Sequence, residues 1–289
     1  MQKIEFPKQE EFWDAIDTQG FFWSHMQPDF DTLLAAPADF VETMTGICPS
    51  RVSAFHVIPR PGGQTYITSD MDCRFHIDTS LACPAPLHFL FCVEQIAEGG
   101  ETMLLDGWKL LDEAQNNEPA FFDALFDVPR RMRFAPKAAF GPTVSLRQNR
   151  LVLMQPPFPG ADLVGHRVQE WVDTQEPVRF KMWPGDFYVL NNQRCFHNRS
   201  PFKGHRHMIR LLCWFPEPLY APKPYLDKAA RSFDRIKEIL KDYPEPVLQR
   251  FGLTEVAAHY SDQDASDEVM QAALDDLISR LNISVAQPA

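Results

Sequence analysis

A histidine and an aspartate one residue apart, His76-Ile77-Asp78, follow a run with strand character. Side chains two apart on a strand project from one face, so this imidazole and carboxylate can take neighbouring positions on one metal ion. His197 adds a third ligand of the same kind. Two histidines and one carboxylate form a facial triad with open positions, the donor set that non-haem Fe(II) oxygenases use. An H-x-D triplet alone is common and usually a surface pair. Its weight here comes from what accompanies it.

The same chemistry needs a cation. A 2-oxo acid that chelates the iron leaves a far carboxylate, which a guanidinium meets bidentately and better than an ammonium does. Arg210 stands among Met208, Ile209, Leu211 and Leu212, thirteen residues after His197, far enough for a turn and a return strand. Thr102, after Gly99-Gly100-Glu101, can add a hydroxyl to that carboxylate. Arg206, nearer the loop Lys203-Gly204-His205, competes with Arg210 for the anchor role. Phe21-Phe22-Trp23 and Tyr66 could line a substrate pocket, although aromatic runs more often build core. His205 and His207 read as exposed or packed histidines, His88 as a core or cavity histidine. Cys195, two before His197, reads as a small packed hydrophobe.

These residues must be positioned by strands. Arg51 to Ile58 alternates as a strand and stops at the turn cluster Pro59-Arg60-Pro61-Gly62-Gly63; Gln64 to Thr68 resumes it. Leu87 to Val93 and Thr102 to Leu105 are further strands, and Asp106 offers an N-cap to a following helix. Glu118-Pro119 opens a second helix, and Val168 to Val172 a third. Residues 1–50 look helical in pieces, at FWDAI and DFVETM. Turn signals recur among the 25 prolines, so the core is expected to be mainly β with helical inserts.

After Pro222-Lys223-Pro224 the pattern changes. Leu226, Ala230, Phe233, Ile236, Ile239 and Leu240 lie at helical spacing. So do Val269, Ala273, Leu274, Leu277, Ile278 and Leu281, with Ser266 as N-cap. Residues 1–225 therefore form the expected catalytic domain and 226–289 a helical appendage. Its apolar faces need a partner surface, which makes a homodimer one expectation.

Composition narrows the partners. A net charge of −11 without a basic block argues against nucleic acid and anionic membrane. No apolar run approaches a membrane span, and the first residues lack a secretory signal. Six cysteines without a C-x-x-C pair read as reduced thiols in a cytoplasmic protein. A small-molecule substrate remains.

The stretch HIDTSLACPAPLHFLFCVEQIAEGGETMLLDGWKLLDEAQNNEPAFFDAL resembles the central block of the TauD/TfdA dioxygenases, which depend on Fe(II) and 2-oxoglutarate. GDFYVLNNQRCFHNRSPFKGHRHMIRLLCWF is similar to a later block of their gamma-butyrobetaine and trimethyllysine hydroxylase branch. The likeness covers about residues 50–216. It implies a double-stranded β-helix (jelly-roll) core, with His76, Asp78 and His197 as iron ligands. It also implies Arg210 and Thr102 as 2-oxoglutarate anchors. Asn191, Asn192 and Arg199 would lie near the iron, as cosubstrate or substrate contacts. Leu81 stands where that branch usually has an aromatic residue, and the branch's zinc-binding N-terminal domain is absent. Both departures speak against a trimethylammonium substrate. The retained Asp78 favours oxygen insertion over halogenation.

The expected activity is oxidation, foremost hydroxylation, of a C–H bond in a small polar metabolite bearing a carboxylate or amine. O2 and 2-oxoglutarate would be consumed, succinate and CO2 released, and ascorbate would serve as reductant in vitro. Desaturation, demethylation or ring formation would use the same site. A metal-dependent binding module without catalysis is the alternative from another class.

Overall fold

The computed structural model describes residues 6–59, 62–63, 69–78, 83–134, 137–158, 162–254 and 266–282. The first part of the chain runs α1 (Gln9–Gln19), β1 (Phe21–His25), α2 (Phe30–Ala35), α3 (Pro37–Thr45), β2 (Arg51–Val57), β3 (Leu87–Gly99) and β4 (Thr102–Asp106). Then follow α4 (Gly107–Asn117), α5 (Pro119–Asp127), β5 (Arg130–Phe134), β6 (Lys137–Gly141), β7 (Val144–Arg147), β8 (Arg150–Leu153) and α6 (Leu163–Asp173). The last part holds β9 (Val178–Phe180), β10 (Asp186–Asn191), β11 (Cys195–Arg199), β12 (Phe202–Trp214), α7 (Lys223–Leu240), α8 (Glu245–Arg250) and α9 (Asp267–Arg280). Two compact units result. One comprises Met1–Ile77, Ala85–Trp108 and Val172–Tyr220; the other comprises Asp78–Pro84, Lys109–Trp171 and Ala221–Ala289.

The first unit holds an antiparallel five-stranded sheet, β1-β10-β3-β12-β2, and a three-stranded sheet, β11-β4-β9. Alternation sorts the side chains. On β12, Ile209, Leu211 and Cys213 join Phe89, Phe91 and Phe187 in a core that also takes Phe12, Ile16, Val41 and Met44 from the N-terminal helices. The other face presents Met208, Leu90, Cys92 and Tyr188, which meet Leu104 of β4 and Cys195 of β11. Two sheets packed face to face with interleaved side chains make the expected double-stranded β-helix. Burying each large apolar side chain contributes about 1.5–3 kcal/mol.

Phe21–His25 forms an edge strand, paired with β10 from Phe21↔Leu190 to His25↔Asp186. The aromatic run is thus packing material: Phe22 lies against one core and Phe21 against the other. Trp23 stacks on Phe180 with centroids 5.4 Å apart. The expected strand Gln64 to Thr68, and with it Tyr66 and Leu81, lies outside the described residues.

A single knot fixes β11 to α1. Gly20 ends α1 at φ 87, a conformation in which a Cβ would sit 2.4 Å from Cys195 Sγ. Next to it, the buried Arg194 donates to Asp106 Oδ2 at 2.6 Å and to the Asp17 and Thr18 carbonyls at 2.8 and 3.0 Å. Asp106 also accepts from the Trp108 amide at 3.0 Å, as an N-cap should.

In the second unit, β5-β6 and β7-β8 are hairpins. Ile236 and Leu240 of α7 pack with Met270, Ala273, Leu274 and Leu277 of α9, around Phe140 and Phe251. The tail helices therefore cover their apolar faces within one chain. Ser266 Oγ accepts from the Val269 amide at 3.3 Å, the expected cap of α9. Among the described residues, no helix is long and apolar enough to cross a membrane.

Candidate active site

β11 lies antiparallel to β4, with His197 opposite Leu104 and Arg199 opposite Thr102. His76 joins its far side by a reciprocal backbone pair: each histidine's N–H donates to the other's carbonyl at 3.0 Å. The two imidazole centroids stand 4.3 Å apart. Asp78 follows His76 by two residues, so the chain itself keeps the carboxylate near the imidazole. All three residues are buried, and each offers one ligand atom within 4.8 Å of the others.

The tautomer of His76 is set locally. Its Nδ1 lies 2.8 Å from the Arg74 carbonyl, which can only accept, so Nδ1 carries the proton and Nε2 presents the lone pair. Arg74 reaches this orientation with φ 53, in the left-handed region that non-glycine residues seldom occupy. Two imidazoles, one oriented by its neighbour, and one carboxylate fit a first-row divalent ion with positions left open.

Beside the histidines the first unit encloses a cavity with ≈ 490 Å³ of non-atom space, mouth included. Val57, Cys73, Leu90 and Tyr188 form its apolar and aromatic walls. His76, His88, His197, Thr102, Asn198, Arg199, Arg206 and Arg210 supply the polar part. Arg210 is 8% exposed, and its guanidinium carbon stands 4.4 Å from the centroid of Phe55, its cross-strand neighbour. Arg206 donates through Nε to Gln95 Oε1 at 3.2 Å. Burial, reinforced by the Arg199 cation, lowers its pKa to about 10. Arg199 donates to the Met71 carbonyl and lies over Phe202, 4.9 Å from the centroid.

The remaining candidates fall elsewhere. The Asn191 side chain accepts from the Gln193 amide at 3.0 Å, and Asn192 Nδ2 donates to the Ala85 carbonyl at 3.1 Å. Both are buried, and neither lines the cavity. Cys195 donates through Sγ to the Gly20 carbonyl at 3.3 Å; burial raises its pKa and keeps it a thiol. His205 pairs with Glu94 at 3.2 Å and His207 with His56 at 2.8 Å, away from the cavity. Gln95, Tyr188 and Asn198 were not singled out in the sequence. Tyr188 was legible as an inward position of an alternating strand; Gln95 was not, because a bulge in β3 shifts its register.

Residues 40–144 match the family described as taurine catabolism dioxygenase TauD, TfdA family. The matched stretch contains His76, Asp78 and Thr102 and ends before His197 and Arg210. Solved structures share the fold. An asparagine oxygenase in complex with Fe(II), 3-hydroxyasparagine and succinate superposes with a TM-score of 0.54 at 14% identity, covering 80% of each chain. AAD-2 in complex with Mn(II) and N-oxalylglycine gives 0.54 at 15% identity, over 76% of this chain and 93% of that one. A taurine dioxygenase from Burkholderia xenovorans gives 0.51 at 16%, over 75% and 84%. At such identities the structures speak for the fold.

Proposed function

We propose that this protein is an Fe(II)- and 2-oxoglutarate-dependent dioxygenase that hydroxylates a C–H bond of a small, polar, acid-bearing metabolite. The observation that carries the reading is the buried group of His76, Asp78 and His197 next to a cavity that Arg210 and Thr102 also line. Bound there, iron and 2-oxoglutarate supply the oxidising power: O2 and 2-oxoglutarate become succinate and CO2, and one oxygen atom enters the substrate.

The chain's own groups do the rest. His76, Asp78 and His197 would hold the metal. Arg210 takes the far carboxylate of 2-oxoglutarate, with the Thr102 hydroxyl as its second donor. The Val57, Leu90 and Tyr188 walls exclude water, which strengthens the ionic contacts within. Two sequence blocks resemble those of the gamma-butyrobetaine and trimethyllysine hydroxylases. Three arginines at the cavity repel a quaternary ammonium group, so the recognised feature is an acid. Six thiols without a disulfide suit a reducing compartment such as the cytoplasm.

The test is purified protein with Fe(II), ascorbate and labelled 2-oxoglutarate, offered a broad panel of small metabolites. Succinate and labelled CO2 should appear with a subset of the panel, alongside a product heavier by one oxygen. The His76→Ala protein should release neither. If no compound raises release above that control, the reading fails.

A further inference from the structure

Three of the buried arginines in this chain pair with an acid. Arg130 pairs with Asp162 at 2.5 Å, Arg194 with Asp106 at 2.6 Å, and Arg250 with Asp267 at 3.5 Å. Arg206 does not. It is 4% exposed, and among the described residues its side chain makes one hydrogen bond, to Gln95. The fixed charge that bears on it most is another cation, Arg199. Around this pair, Gln95 Nε2 and Arg199 Nε are buried donors with no partner among the described residues. A buried cation lacking a counter-charge is expensive in free energy, and idle buried donors add to that.

The proposed cosubstrate does not remove the excess. A divalent ion and the Asp78 carboxylate sum to one positive charge. Doubly charged 2-oxoglutarate and Arg210 then bring the centre to neutrality. Among the described residues, Arg199 and Arg206 remain as two cations without a paired acid at the same cavity. Arg206 and Arg210 share the inward face of β12 four residues apart, roughly 13 Å along the strand, a stem spacing that allows two separate acids.

We propose that Arg206, oriented by Gln95 and assisted by Arg199, is the subsite for a carboxylate of the substrate, bound apart from 2-oxoglutarate. This rests on the dioxygenase reading and names its substrate class: a small organic acid or amino acid that presents its carboxylate to β12. Arg206 is then the specificity-determining residue, and Gln95 a positioning residue that holds its fork.

The experiment uses anaerobic Fe(II)-loaded protein with 2-oxoglutarate, whose weak visible band reports the metal–cosubstrate complex. Proteinogenic L-amino acids and short dicarboxylic acids are titrated in, each beside its amide. At least one acid should perturb the band where its amide does not. Arg206→Gln should weaken that acid on the order of 100-fold while changing 2-oxoglutarate affinity less than about twofold; Arg210→Gln should do the reverse. Metal-free Arg206→Gln should melt no lower than the parent, because no acid is stranded; a clear fall would mark Arg206 as structural and overturn the proposal. It is equally overturned if no acid perturbs the band, or if Arg206→Gln loosens 2-oxoglutarate as much as Arg210→Gln. Absence of the band before any acid is added sinks the dioxygenase reading itself, and this proposal with it.

Discussion

In the proposed site, the nitrogen that His76 would offer a metal is selected by Arg74. The carbonyl of Arg74 takes the Nδ1 proton, and it can do so because the residue sits at φ 53. Arg74→Gly should therefore keep Fe(II) affinity, since glycine adopts that φ without strain. Arg74→Val should lose about 1–2 kcal/mol of stability and weaken Fe(II) binding roughly 10- to 100-fold, as read by anaerobic metal titration and thermal melting. A side-chain role for Arg74 would instead make the two variants alike. The buried cluster of His76, Asp78 and His197 was foreseeable in sequence, because H-x-D and a later histidine are types and spacings. The device that selects the nitrogen was not, because it is a backbone dihedral. Asn191 and Asn192 illustrate the reverse. They resemble site residues by their place before His197, yet their amides serve the turn and the Ala85 carbonyl.

At the scale of elements, alternation carried β12 correctly: Met208 and Arg210 face the cavity side, and Ile209 and Leu211 the helices. It fails on the neighbouring strand. Met208 pairs with Cys92 but His207 with Glu94, a bulge that passes over Val93. Beyond it the inward positions of β3 change from even to odd numbers, so counting from His88 and Leu90 points to Glu94 rather than Gln95. No local signal in the sequence marks that change. The β1 strand was missed for a simpler reason, since five residues rich in aromatics at a sheet edge suit core packing equally well. The Arg194 knot gives the element-scale prediction. Arg194→Met strands a buried carboxylate on Asp106 and uncaps the end of α1, and should lower stability by about 3–5 kcal/mol. The urea midpoint measures it, and a loss under about 1 kcal/mol would contradict the role assigned to the pair.

At the scale of the molecule, a mainly β core was legible because short apolar runs recur between turn signals, whereas the jelly-roll arrangement was implied by the resemblance to the TauD/TfdA blocks. The tail helices were legible as amphipathic, but not where their apolar stripes would go; the second unit covers them with Phe140 and Phe251. A homodimer is no longer needed to bury them. The reciprocal backbone pair between His76 and His197 joins points 121 positions apart in the chain. It holds both candidate ligands by main-chain bonds that need no ion. In metal-free protein the amide protons of His76 and His197 should therefore exchange with solvent as slowly as those in the middle of β3, and adding iron should slow them little further. Fast exchange of both in the metal-free state would mean that the metal, not the sheet, gathers its own ligands.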